Sequence, residues 1–123
     1  MLIADTHALI WIGAGNPKLS KAAEAALLDP SKEIVVSAVT ACEYVDLHQR
    51  GRIPDAADFS TMQRLLHFTV IDLPASVWRI MRTLPAIHLD PVDRMLVAHA
   101  IEADLTLITI DADMRRYPVK TTW

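Results

Sequence analysis

Asp5, Glu43, Asp93 and Asp111 are acidic residues placed where a parallel sheet would bring its ends together. Asp5 follows the apolar run MLIA, and Asp111 follows LTLITI. Glu43 stands in SAVTACE and Asp93 in HLDPVDR, each near the start of a segment with helical spacing. Gathered in one volume, bare carboxylates would repel one another and resist ionisation. Mg2+ or Mn2+, hard cations that prefer oxygen ligands, would remove that conflict. Taken one at a time, the acids have plainer uses. Asp5 could cap a helix starting near His7, Asp111 could cap the short ADMRR segment, and Asp93 could favour a helix N-terminus. Asp90, just before Pro91, reads as an N-cap with proline at the first helical position.

The elements that must position these residues alternate in type. MLIAD, EIVVS, FTVIDL and LTLITI are short and apolar, as expected of strands buried on both faces. LSKAAEAALL, VTACEYVDLHQR, AADFSTMQRLL, ASVWRIMRTL and PVDRMLVAHAIEA have helical spacing. The pattern predicts one α/β domain over residues 1–123, with a mostly parallel sheet of about four to five strands flanked by helices. VKTTW reads as a returning edge strand. In an open parallel sheet, ligands bind beyond the C-terminal strand ends. Asp5 and Asp111 both end strands, so they can be neighbours despite their separation in sequence. If the helices carrying Glu43 and Asp93 open at the same edge, all four acids face one pocket.

Hydroxyl groups accompany the acids. Thr6 and Thr109 could orient carboxylates or bound water, whereas Ser37 and Thr40 are better read as capping or structural groups. Asp46 reads as solvated surface, and Asp72 is left outside the pocket. The five histidines match no compact zinc motif. His7 is the one expected nearest the site, in a structural hydrogen bond. Arg50, Arg52 and Arg94 are candidate phosphate contacts, although basic pairs such as Arg79 and Arg82 read first as a solvated face. Cys42 is the single cysteine, expected as a small buried hydrophobe, and excludes an internal disulfide. Trp11, Trp78 and Trp123 are expected mainly in the core.

More than half of the 123 residues are apolar, enough for a packed core. No apolar run is long enough to span a bilayer and no secretion signal is visible, so a cytoplasmic protein is expected. The net charge of −3 argues against a polyanionic partner, but setting the four pocket acids aside turns −3 into +1.

The residues quoted above resemble those of PIN-domain ribonucleases, and more narrowly VapC-like toxins of bacterial toxin–antitoxin pairs. The resemblance runs through MLIADTHALIW, SAVTACEYVDLHQRGRI, HLDPVDRMLVAHAIEADLTLITID and YPVKTTW. It implies an acidic site of Asp5, Glu43, Asp93 and Asp111, with Asp90 and Thr109 close by. It further implies Mg2+- or Mn2+-dependent hydrolysis of RNA, with tRNA among the candidate substrates, a homodimer, and a VapB-like antitoxin covering the pocket. Asp5 and Asp111 are the expected direct metal ligands, and Glu43 and Asp93 complete the set or orient water. Val92 stands where an aromatic residue is expected, and Ala41–Cys42 replaces a bulkier pair; both changes bear on packing and substrate fit. Two other classes compete. One is a phosphatase using Asp5 as nucleophile, but His7 occupies the place of its second aspartate. The other is a noncatalytic binding module, against which the intact set of acids counts.

Overall fold

The structure, a computed structural model, describes residues 1–88 and 90–123, so that Leu89, inside HLDPVDR, lies outside the described residues. Five strands form one all-parallel sheet: β1 (Leu2–Ala4), β2 (Ile34–Ser37), β3 (Thr69–Ile71), β4 (Thr106–Ile108) and β5 (Thr121–Thr122). Their order is β3-β2-β1-β4-β5. The central strand β1 pairs with β2 on one side and β4 on the other, with Leu2 opposite Ile34 and Ala4 opposite Ile108.

Alternation along these strands divides the core. Ala4, Ile34, Val36 and Ile108 pack on one face of the sheet, and Ile3, Val35 and Leu107 pack on the other. Both faces are therefore covered, which explains why the strands are continuously apolar. The helices are α1 (Thr6–Ala14), α2 (Lys21–Leu28), α3 (Ala38–Gln49), α4 (Phe59–Leu66), α5 (Val77–Met81) and α6 (Pro91–Glu102). Ser20, Ser37, Asp58 and Asp90 accept backbone N–H groups as N-caps of α2, α3, α4 and α6, satisfying donors that a helix leaves free.

Several expectations are corrected. ASVWRIMRTL forms only the short α5, after which Arg82 and Thr83 continue as a turn. FTVIDL yields a three-residue strand, with Phe68 buried just before it. Cys42 is exposed, because α3 turns Tyr44 into the core and leaves Cys42 and Val45 on its outer side. Trp78 is also outside the core, 52% exposed, whereas Trp11 and Trp123 pack edge to face at 5.8 Å. No helix among the described residues is long and apolar enough to cross a membrane.

Candidate metal centre

The pocket lies at the C-terminal edge of β1 and β4, adjacent strands from which the chain departs to opposite halves of the sheet. Asp5 directly follows β1. Its Oδ1 accepts the Ala8 amide at 2.7 Å, so it is the N-cap of α1 as well as a pocket acid. It is 4% exposed. Burial pushes its pKa above the ordinary carboxylate value, against the lowering effects of hydrogen bonds from Thr109 and Ala8 and the charge of His7. A carboxylate so enclosed and already engaged is poorly placed for the nucleophilic role that a phosphatase requires.

Thr6 begins α1 and donates its hydroxyl to Glu43 Oε1 on α3. Glu43 is only partly buried. The start of α3 is tied to α6 through Ser37. Its Oγ accepts the Val39 amide at 3.3 Å and shares a hydrogen bond with His99 Nδ1 at 2.8 Å. Both side chains are buried, and desolvation lowers the His99 pKa against the opposing charge of Glu102. This link joins the helices that carry Glu43 and Asp93.

Asp90 caps α6 through the Val92 amide at 2.8 Å, as its sequence position predicts. It also belongs to the pocket. Ligand oxygens of Glu43, Asp90 and Asp93 lie within 4.8 Å of one another. A second group, His88, Asp93 and Asp111, meets the same limit, so Asp93 is shared by both. Desolvation pushes the Asp93 pKa up to about 6; Asp90, Glu43 and Asp111 add to the rise, and His88 opposes it. Three carboxylates this close, one already resisting ionisation, fit a divalent cation through the hard-oxygen chemistry of the donor set. Asp93 and Asp111 share one of these groups, and Asp93 is common to both.

Asp111 is held differently. Its Oδ1 accepts the Asp113 amide at 2.8 Å and the Met114 amide at 3.1 Å, while Thr109 Oγ1 accepts the Asp111 amide at 3.1 Å. Desolvation pushes its pKa up, but the Met114 amide, His88 and the Asp113 amide together hold it below the ordinary value.

His88 is the pocket residue that the sequence did not single out. Its Nε2 lies 3.1 Å from Asp93 Oδ2 and 3.2 Å from Asp111 Oδ2. Its Nδ1 accepts the Asp90 amide at 3.0 Å, and its own amide donates to Tyr117 Oη at 2.8 Å. Desolvation lowers the His88 pKa, but the hydrogen bond to Asp111 and the charges of Asp93, Asp111 and Asp90 outweigh it and raise the value overall. Protonation has a structural cost, because an accepting Nδ1 cannot also carry a proton. The signal available in sequence was a histidine two residues before a capping aspartate, but Tyr117, which orients it, is far along the chain.

The arginines lie elsewhere. Arg50 pairs with Asp46 at 2.9 Å on the exposed side of α3. Arg52 borders a groove with His7, Trp11 and Leu47. Arg94 Nη2 donates to the Met81 carbonyl at 3.1 Å and so joins α6 to α5. His7 is exposed and packs edge on against Trp11 at 5.6 Å.

A parallel sheet with acids gathered where its strand order divides defines an α/β domain built around a carboxylate pocket. The chain belongs to the PIN domain family, whose profile matches residues 2–120. It is 32% identical over 126 residues to Ribonuclease VapC22 of Mycobacterium tuberculosis, covering 98% of this chain and 96% of that relative. Two solved structures share the fold. VapBC2 from Rickettsia felis bound to a DNA fragment from their promoter aligns with a TM-score of 0.72 and 16% identity, over 98% of this chain and 96% of that one. A toxin–antitoxin complex from Klebsiella pneumoniae aligns with a TM-score of 0.70 and 20% identity, over 100% of this chain and 97% of that one.

Proposed function

We propose that this protein is a Mg2+- or Mn2+-dependent endoribonuclease and the toxin of a toxin–antitoxin pair, acting in the cytoplasm as a homodimer held in check by a VapB-like antitoxin. The observation that carries the reading is the convergence of Glu43, Asp90 and Asp93 with His88 and Asp111 at the sheet edge. The relative named as a ribonuclease supports the choice of RNA.

Glu43, Asp90 and Asp93 would hold the cation, with Asp5 and Asp111 completing the charge of the pocket. When bound, such a cation supplies Lewis acidity toward water and a phosphate oxygen. The residues do the rest. Thr6 fixes the Glu43 carboxylate, and His88 holds Asp93 and Asp111 in register. Asp93, shared by both donor groups, would orient the attacking water. Water, rather than a side chain, then attacks phosphorus and loses a proton to solvent, the bond from phosphorus to the leaving ribose oxygen breaks, and that oxygen takes a proton from solvent. Arg52, close to His7 on the groove beside α1, is placed to meet a substrate phosphate more readily than the ion-paired Arg50 or Arg94, whose guanidinium bonds α5.

Purified protein should cut defined tRNAs or other RNAs in Mn2+ or Mg2+ and cease in chelator. Asp5→Asn and Asp93→Asn should cut far less than the wild type. Absence of cleavage by the wild type, or equal cleavage by both variants, would overturn the assignment.

A further inference from the structure

Trp78 is a large aromatic side chain with more than half its surface in solvent, and two cations attend it. The Arg79 Cζ lies 5.3 Å from the indole centroid and the Arg82 Cζ 5.8 Å, within cation–π range. With both guanidinia in range, Trp78 still keeps 52% of its surface exposed. Neither arginine forms an ion pair with a carboxylate among the described residues. An exposed indole between two unneutralised cations is a combination that a folded core does not require.

The position of this cluster relative to the pocket follows from two bonds. Ser76, before α5, donates its hydroxyl to Glu102 at the end of α6. Met81, at the end of α5, accepts from Arg94 in the first turn of α6. The two helices therefore run antiparallel, and the C-terminal end of α5, with Arg82, lies beside the end of α6 that carries Asp90 and Asp93. Trp78 stands one helical turn back from Arg82, so the cluster extends alongside α6 away from the acids.

The geometry points to Trp78, Arg79 and Arg82 as a single-stranded RNA subsite outside the pocket, where one nucleobase stacks on the indole and the guanidinia meet the flanking phosphates. Its ligand rests on the ribonuclease reading above. Stacking on an aromatic ring is tolerant of base identity, and the paired arginines supply local charge attraction on a protein of net charge −3. A protein partner would have to desolvate both guanidinia or bring carboxylates to them, whereas RNA phosphates provide the opposite charge at every nucleotide.

The test uses the full chain in chelator, so that no RNA is cut, and a labelled single-stranded oligoadenylate read by fluorescence anisotropy across a salt series. Trp78→Ala should weaken binding about tenfold, with Trp78→Tyr keeping most of the affinity. Arg82→Gln should reduce the slope of log affinity against log salt by about 0.7. Melting curves of the variants identify any that misfold; if Trp78→Ala does, Trp78→Tyr and the Arg82→Gln salt slope decide. Wild-type affinity in Trp78→Ala would overturn the subsite, as would wild-type protein that does not bind the oligonucleotide. A changed oligomeric state with unchanged RNA affinity would also overturn it and assign the indole to a protein contact. Failure of the ribonuclease reading is seen separately, as absence of cleavage when Mn2+ is restored.

Discussion

The acids at the strand ends and those on the helices are stabilised in opposite ways. Asp5 and Asp111 accept backbone N–H groups of the segments they initiate, at 2.7 to 3.1 Å. Among the described residues Asp93 accepts no such amide; its charged neighbours are mostly other carboxylates, and His88 relieves it. Strand-end acids are thus partly parts of the scaffold. Asp93 is held in an unfavourable environment by the surrounding fold, which is how a site stores an affinity for positive charge.

The contrast would break most sharply at Asp93. Asp93→Asn should reduce metal-dependent cleavage by about a hundredfold or more, measured as kcat/KM, because the residue shared by both donor groups is lost. The same variant should stabilise the metal-free protein. An acid whose folded pKa is raised from 3.8 to about 6 binds more protons folded than unfolded between those values, so stability falls as pH rises through that window. Removing the charge should recover about 1 kcal/mol at pH 7 after solvent screening, and nothing below pH 4, seen as a higher melting temperature of the chelated protein.

Added Mn2+ should raise the melting temperature of the wild type, more at pH 7 than at pH 5, because protons compete for Asp93 at the lower pH. An equal rise at both values would separate metal binding from Asp93. At Asp5 the comparison is between two substitutions. Asp5→Asn keeps a good helix cap and should melt near the wild type, whereas Asp5→Ala should lose about 1 kcal/mol. Equal melting of the two would show that the cap on α1 contributes little. His88→Ala should weaken metal affinity about tenfold by calorimetry, since it removes the group that holds Asp93 and Asp111 together. The smallest effect is expected for Arg50→Ala, a few tenths of a kcal/mol, because its pairing with Asp46 is exposed.

Much of this arrangement was legible before folding was considered. The four sequence-derived strands and five helical segments stand near their expected places, and VKTTW closes the sheet as β5. The paired identity of Asp90 was only half visible: DP marks a helix start, but nothing local shows that Glu43 approaches the same carboxylate. His88 was missed because its bonds run to Asp111 and Tyr117, far along the chain. Trp78 and Cys42 were expected inside because hydrophobicity names a preference for burial without saying which side of a helix the core will take.

The sequence by itself determined the alternation of strand and helix, the caps, and the acids that could hold a cation, since these depend on neighbours a few residues apart. The tertiary structure decided that Asp93 is shared by both donor groups, that His88 joins it, and that Asp5 is buried beside Thr109. Those relations depend on the crossing of β1, β4, α3 and α6, where a shift of an ångström changes a ligand into a neighbour.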